Sequence, residues 1–120
     1  MIGMVYGSFQ VGKQWTTPEY VKAQEVITEV PIKAAVMERI AQCESGKKQF
    51  NAQGKLLKNK NTNGTVDVGY YQINTVHFLN AMEMGYDLTE EKGNRAFAEE
   101  YLYPNFGTEP WYSSKSCWNK

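Results

Sequence analysis

The stretch IAQCESGKKQFNAQGK, residues 40–55, passes from an apolar helical pattern through a carboxylate into Ser-Gly and then into a polar, turn-rich segment. Upstream and into this stretch, apolar residues recur at spacings of four, four and three: Ile32, Val36, Ile40 and Cys43. This spacing places them on one face of an α-helix. Because Ser45-Gly46 interrupts the pattern, the sequence predicts a helix from about residue 32 to residues 44–46, with Glu44 in its last turn.

A small antiparallel hairpin is predicted directly after this helix. Residues 49–66 are polar, and the dipeptides Gln53-Gly54 and Asn63-Gly64 are typical of tight turns. The β-branched and aromatic run TVDVGYYQIN, residues 65–74, follows.

Two more helices are predicted in the second half of the chain, over about residues 75–84 and 89–103, with the second ending before Pro104. The tail GTEPWYSSKSCW, residues 107–118, is predicted to be loop-like. The predicted fold class is therefore α+β, mainly helical, with one small sheet after the central helix.

The chain of 120 residues is long enough for one ordinary domain. We predict an extension over residues 1–28 that precedes the domain or packs on it, and the domain itself over residues 29–120. Glycines interrupt residues 1–16, whereas Thr-Thr before Pro18 predicts a short helix over about 18–28.

Composition excludes several partners. Lys plus Arg equals Asp plus Glu at 13 each, so no net charge attracts nucleic acid. No run approaches the roughly 20 apolar residues of a membrane span, and the first ten residues lack the basic start and apolar length of a signal peptide. We expect a monomer without a cofactor or metal.

The two cysteines, Cys43 and Cys117, fit no metal-binding or redox spacing. They are either one disulfide, which would indicate an oxidising compartment, or two unrelated buried thiols.

Glu44 is the candidate proton donor. The C-terminal pole of a helix carries partial negative charge, which disfavours the carboxylate, and shielding by the downstream aromatic segments would raise its pKa further. Both effects favour a carboxylic acid that donates a proton near neutrality.

Two motifs in this order resemble those of the lytic transglycosylases, a lysozyme-like family that cleaves peptidoglycan. They are Glu44-Ser45 at a helix end and the run Gly69-Tyr70-Tyr71-Gln72-Ile73-Asn74, followed in the tail by GTEPW, Ser114 and Trp118. The resemblance covers about residues 32–118. It implies a lysozyme-like fold and cleavage of the β-1,4 bond between N-acetylmuramic acid and N-acetylglucosamine in glycan strands outside the cytoplasm.

The resemblance also implies roles for particular residues. Glu44 would be the catalytic acid, Ser45 its hydrogen-bonding neighbour, and Gln72 with the backbone of Tyr70 and Tyr71 would contact the sugar. The Tyr-Asn pair of many transglycosylases is absent in that form, and its place would be taken by a residue of the PWYSS segment, such as Trp111, or by Tyr101 or Tyr103. Asn74 is expected to cap the following helix.

Asp67 leaves two types of reaction possible, hydrolysis and non-hydrolytic cleavage. The segment TVDVGYYQIN also resembles the part of animal-type lysozymes that carries a second carboxylate, which would permit hydrolysis. Asp67 is therefore a structural residue of the turn, a substrate contact or a second catalytic carboxylate. The favoured expectation is non-hydrolytic cleavage by Glu44 alone, with a hydrolytic lysozyme or a non-catalytic glycan-binding domain as alternatives.

Other chemistries have less support. A cysteine peptidase would need Cys43 as a thiolate at the wrong pole of a helix, with His77, expected on an exposed helix, as base. A serine triad of Ser45, His77 and Asp67 lacks the spacing of a nucleophile elbow. The run from Asn59 to Gly64 imitates half of an EF-hand loop but lacks its carboxylates.

Overall fold

The structure is a computed structural model that describes residues 32–120. The chain divides between Ala35 and Val36 into two units, and residues 36–120 form the unit that carries the features below. The predicted extension over residues 1–28, with its helix over 18–28, lies outside the described residues.

The first described helix, α1, covers residues 32–45, and its end agrees with the prediction. Gly46 takes a left-handed conformation with φ of 69°, and its amide donates to the Gln42 carbonyl at 3.0 Å. The Lys47 amide reaches the Ala41 carbonyl at 3.2 Å, so two of the carbonyls at the helix end are satisfied. This termination fixes Glu44 one residue before the last helical position.

Three short strands form one antiparallel sheet in chain order: β1 Lys58–Lys60, β2 Val66–Val68 and β3 Ile73–Asn74. The hairpin between β1 and β2 confirms the predicted turn at Asn63-Gly64, where Gly64 has φ of 91°. Asp67 is paired with Asn59 on one side and with Asn74 on the other. This register places the three side chains in one row across the sheet.

A 3₁₀ turn, Thr75–His77, leads into α2, Phe78–Glu83, close to the predicted helix over 75–84. The next helix begins as α3, Glu91–Phe97, continues as a π-helical segment, Ala98–Leu102, and ends as α4, Tyr103–Phe106. The prediction that this helix stops before Pro104 is wrong. Pro104 lies in the first turn of α4, directly after the π-helical segment, and a first turn tolerates a residue without an N–H.

The tail is helical where the sequence predicts a loop. Residues Glu109–Ser114 form a 3₁₀ helix and Lys115–Trp118 a short helix, α5. Hydrogen bonds to residues far away in the sequence hold these turns in place. The Trp111 indole N–H donates to the Tyr71 carbonyl at 2.8 Å, and the Arg39 Nε donates to the Trp118 carbonyl at 3.1 Å.

The core lies between α1, the inner face of the sheet and the helices that follow. Its fully enclosed apolar side chains are Ile40, Ala41, Ala81, Phe97, Ala98 and Leu102. Trp118 is also buried. The structure confirms a small α+β domain with an antiparallel sheet.

Cys43 and Cys117 form a disulfide, with their Cα atoms 6.0 Å apart and a sequence separation of 74 residues. Of the two interpretations of the cysteines, the disulfide is confirmed. Among residues 32–120, no helix has both the length and the apolar character needed to cross a membrane.

Candidate active site

A polar groove of about 410 Å³ lies between the end of α1, the sheet and the tail. Its lining combines carboxylates, carboxamides and hydroxyls with a few apolar side chains: Glu44, Asn61, Thr62, Asn63, Thr65, Asp67, Gln72, Ile73, Asn74, His77, Leu102, Pro110, Trp111 and Ser113. No Lys or Arg of the described chain belongs to this lining. The groove therefore suits a neutral ligand that offers many hydrogen-bonding groups.

Glu44 is half-buried in the wall of this groove. Burial raises the pKa of its carboxyl above the ordinary value, and the negative charge of Asp67 acts in the same direction. The Ser114 hydroxyl donates a hydrogen bond to Glu44 Oε2, which opposes part of this rise in pKa. The balance leaves a carboxyl that holds its proton more tightly than an exposed glutamate does.

Asp67 shares the groove with Glu44 and is fixed by its neighbour on β3. The Asn74 side-chain amide donates to Asp67 Oδ1 at 2.9 Å and to Thr65 Oγ1 at 3.0 Å. Asn74 Oδ1 accepts a hydrogen bond from the Val76 backbone amide at 3.0 Å, which confirms Asn74 as the cap of the following turn. One side chain therefore caps a helix and orients the second carboxylate of the groove.

Gln72 lines the groove in a backbone conformation unusual for its type, with φ of 50°. Its side-chain nitrogen donates to the Gly69 carbonyl at 3.0 Å, and its oxygen accepts from Asn59 Nδ2 at 2.7 Å. These two bonds tie the turn to β1. They fix the carboxamide beside the groove, on a backbone whose positive φ is a type of strain often found at functional sites.

A buried polar pair holds the Gly-Tyr-Tyr-Gln turn from below. Gln49 Oε1 accepts from the Tyr70 amide at 2.8 Å, and Asn94 Oδ1 accepts from the Tyr71 amide at 3.0 Å. Gly69 packs against both side chains and has φ of 77°. The predicted sugar-binding motif is thus fixed by two buried carboxamides whose roles the sequence does not reveal.

Ser45, Tyr70 and Tyr71 lie outside the groove lining. The Ser45 hydroxyl donates to the Tyr70 carbonyl at 2.7 Å and accepts from the Lys48 amide at 3.0 Å. Both tyrosines are buried, and the Tyr71 hydroxyl donates to Glu99 Oε2 at 2.8 Å. These residues join α1 to the turn, and their contact with a sugar stays a prediction.

Of the candidates for the missing Tyr-Asn pair, the PWYSS segment lines the groove through Pro110, Trp111 and Ser113, whereas Tyr101 and Tyr103 do not belong to the lining. Trp111 is 2% exposed, so most of its ring is part of the core. Tyr101 stacks on Phe97 with ring centres 5.2 Å apart, and Tyr103 packs against the core as a partly buried side chain. Their contacts with substrate also stay predictions.

Most side chains of α2 are exposed, as expected, but His77, in the 3₁₀ turn that leads into this helix, is not fully exposed. Its ring is half-buried, lies 6.0 Å from the Phe97 ring and lines the groove. Burial lowers its pKa, which favours the neutral imidazole. Cys43 is disulfide-bonded, so it cannot supply the thiolate that a cysteine peptidase with His77 as base would need.

Sequence reasoning included Ser113 and Ser114 in the PWYSS segment without assigning either a role, and it missed the groove positions Asn61 and Thr65. The PWYSS segment draws attention through its aromatic residues, yet the serine that follows them reaches Glu44. No local signal predicts the contact of Ser114 with Glu44, because the two residues lie 70 positions apart in sequence.

Within residues 32–120, no three His, Cys, Asp or Glu side chains are grouped so that they could hold a metal ion. The carboxamides of the EF-hand-like run are used in the sheet and its turn, where Asn61 Nδ2 donates to Thr65 Oγ1 at 3.0 Å.

Comparisons with protein-family models, curated sequences and solved structures gave no match to this chain.

Proposed function

We propose that this chain is a lysozyme-like peptidoglycan-cleaving enzyme of the lytic transglycosylase type. It cleaves the β-1,4 bond between N-acetylmuramic acid and N-acetylglucosamine without water. The observation that carries the proposal is the half-buried Glu44 carboxyl, its pKa raised, in the wall of a polar groove. The motifs of the sequence, taken as a resemblance, supply the substrate class.

Glu44 acts first as an acid and then as a base. Its proton passes to the glycosidic oxygen as the bond to the muramoyl anomeric carbon breaks, and that carbon takes on oxocarbenium character. The carboxylate then accepts the proton of the muramoyl 6-hydroxyl, whose oxygen closes on the anomeric carbon. The products are a 1,6-anhydromuramoyl end and a free N-acetylglucosamine hydroxyl, and Glu44 returns to its protonated form.

The rest of the groove matches a neutral amino sugar. Carboxamide and hydroxyl side chains such as Asn61, Asn63 and Ser113 offer donors and acceptors for sugar hydroxyl and N-acetyl groups. The absence of basic side chains from the described lining disfavours a phosphorylated ligand, which such side chains would hold.

A hydrolytic lysozyme is the second candidate, and one observation favours it: Asp67 lines the same groove and raises the pKa of Glu44. In that reaction Asp67 stabilises or attacks the anomeric carbon and water completes the cleavage. A glycan-binding domain without activity would keep the groove but not need the raised pKa.

The disulfide supports a location outside the cytoplasm, because such bonds persist in oxidising compartments. We place the protein in the periplasm, in the cell wall or outside the cell, where its glycan substrate lies.

Digestion of purified peptidoglycan by the parent chain, Glu44→Gln and Asp67→Asn, followed by mass spectrometry of the muropeptides, tests the proposal. We expect anhydro ends from the parent and a loss of roughly 10²–10⁴-fold in rate for Glu44→Gln, the range for removal of a general acid. Reducing ends that disappear in Asp67→Asn would replace the transglycosylase with the lysozyme. Binding without cleavage by the parent would leave only the glycan-binding domain.

Stability provides the control for Glu44→Gln. Because the folded-state pKa of Glu44 is raised, the folded protein binds this proton more tightly than the unfolded chain, and the ionised carboxylate destabilises the fold above that pKa. The glutamine variant should therefore be at least as stable as the parent at pH 7. This advantage should shrink as pH falls through the raised folded-state pKa towards the unfolded value of 4.5, and it should be absent at lower pH. If Glu44→Gln lost activity because it unfolds, the variant would be less stable than the parent at pH 7.

A further inference from the structure

Ser114 contacts two acceptors with one hydroxyl. Its Oγ lies within hydrogen-bond distance of Glu44 Oε2 and, at 3.1 Å, of the Trp111 carbonyl. A serine hydroxyl has one proton to donate and two lone pairs that accept. It can therefore donate to only one of these oxygens at a time.

We propose that Ser114 is a positioning residue that holds the Glu44 carboxyl in both of its protonation states, and that the Cys43–Cys117 disulfide keeps the serine in place. With Glu44 ionised, Ser114 donates to the carboxylate. With Glu44 protonated, the carboxyl can donate to Ser114 Oγ, whose own proton then turns to the Trp111 carbonyl. No proton leaves the serine in either state, so it orients the acid without exchanging with it.

The Trp111 carbonyl tolerates this change because it has a second donor. The Trp118 indole N–H reaches the same oxygen at 3.1 Å, and a carbonyl oxygen has two lone pairs. When the serine turns away toward Glu44, this buried carbonyl keeps one hydrogen bond. Neither position of the hydroxyl leaves a buried polar group without a partner.

The disulfide joins the two chain segments that carry this contact. Cys43 directly precedes Glu44 near the end of α1, and Cys117 lies in α5, three residues after Ser114. The bond therefore links the backbone beside the acid to the helical turn that follows the serine. Reduction would remove the covalent part of this link and leave the hydrogen bonds of Trp111 and Trp118.

Ser114 is not itself part of the groove lining, whereas its neighbour Ser113 is. A change at Ser114 should thus act on Glu44 and leave substrate contacts intact. The other titratable groups of the groove lining are Asp67 and His77, and within residues 32–120 the hydrogen bonds of Ser114 go to Glu44 and Trp111 instead.

The first test titrates Glu44 directly, by ¹³C NMR of the glutamate side-chain carboxyls, with the resonance assigned by its absence in Glu44→Gln. We expect Ser114→Ala to raise the pKa of Glu44, because it removes a hydrogen bond that favours the carboxylate. Ser114→Thr keeps the hydroxyl and should restore the parent value. Ser116→Ala, an exposed serine of α5, is the matched control and should change nothing. An unchanged pKa in Ser114→Ala overturns the proposal.

The disulfide is tested with the same titration after reduction. Reduction should raise the pKa of Glu44 in the parent but not in Ser114→Ala, which has already lost the hydroxyl. Equal shifts in both proteins, or none in the parent, would overturn the role of the disulfide.

Activity supplies the second readout and rests on the proposed function. On peptidoglycan fragments, Ser114→Ala should lower kcat roughly tenfold with KM unchanged, since misplacing a catalytic group acts on the chemical step. The alkaline limb of its pH profile should move to higher pH with the pKa of the acid. If the pKa shifts but the parent cleaves no peptidoglycan, the contact stands and the proposed function fails. If the parent cleaves peptidoglycan but the pKa does not shift, the proposed function stands and the role of Ser114 fails.

Discussion

Glu44 owes its raised pKa to burial first, and its neighbours adjust the result in opposite directions. Asp67 adds a like charge that favours the protonated form, while the Ser114 hydroxyl favours the carboxylate. An acid that must also serve as a base needs such a balance, because a pKa far from the working pH makes one of the two steps slow. Glu44 therefore has one neighbour that raises its pKa and another that limits the rise.

Gly69 is the residue on which the turn beneath the groove depends. A Cβ atom at this position would lie 2.5 Å from Asn94 Nδ2 and 2.6 Å from the Gln49 side chain, and φ is 77°. Gly69→Ala should lower the free energy of unfolding by roughly 2–5 kcal/mol, of which about 1–2 come from the left-handed backbone and the rest from overpacking. Urea unfolding of the parent and the variant measures the change.

Gly54→Ala separates the two causes of this loss. Gly54 has φ of 79°, nearly the same backbone, but a Cβ atom added there would meet nothing within 4 Å. It should lose only the roughly 1–2 kcal/mol of the left-handed conformation. Equal losses in the two variants would show that packing against Asn94 and Gln49 contributes nothing.

Single residues differ in how far the sequence predicts them. Asn74 is predictable as a cap because its partner amide lies two residues away, within a local motif. Gln49 and Asn94 are not predictable as supports of the turn, since their partners lie 21 and 23 residues away. A hydrogen bond between residues close in sequence can be predicted from a local motif, whereas one between residues that only the fold brings together cannot.

At the scale of elements, Asn74 joins β2, β3 and the 3₁₀ turn with three hydrogen bonds from one side chain. Asn74→Ala should lower the free energy of unfolding by roughly 2–4 kcal/mol, at about 1 kcal/mol for the cap and about 1 for each further bond. Thermal and urea unfolding measure the loss.

Asn105→Ala is the matched control for this junction. Asn105 Nδ2 makes one hydrogen bond, to the Tyr101 carbonyl at 2.7 Å, on an exposed part of α4. Its loss should cost no more than about 1 kcal/mol. A similar cost for Asn74→Ala would mean that the bonds to Thr65 and Asp67 do not stabilise the junction.

The elements that the sequence predicts well are those with a strong local pattern. The spacing of Val36, Ile40 and Cys43 indicates α1, and Asn63-Gly64 indicates the hairpin turn. The tail has no such periodicity, and its turns depend on bonds such as Trp111 to Tyr71, 40 residues apart. Pro104 indicates a helix end by local rules, but a π-helical segment before it lets the helix continue.

At the scale of the whole molecule, the disulfide closes a loop that contains the sheet, the groove and all the later helices. Cys43 lies in α1 before the sheet begins, and Cys117 lies in the last helix. Composition and pattern predict the α+β class, but they leave the pairing of the cysteines open. Whether two thiols meet depends on how α1 packs against the tail, and neither hydrophobic spacing nor turn residues fix that geometry.

The disulfide that closes this loop should stabilise the folded protein by restricting the unfolded chain. Cys43→Ala with Cys117→Ala should lower the free energy of unfolding by roughly 4 kcal/mol, the chain-entropy value for a loop of this length. The parent in reductant is the matched control and should lose a similar amount. Urea unfolding of the oxidised parent, the reduced parent and the double variant measures both. If the double variant unfolds at the urea concentration of the oxidised parent, the bond contributes nothing to stability. A reduced parent less stable than the double variant would instead point to a cost of accommodating the two free thiols, of which Cys43 is partly buried.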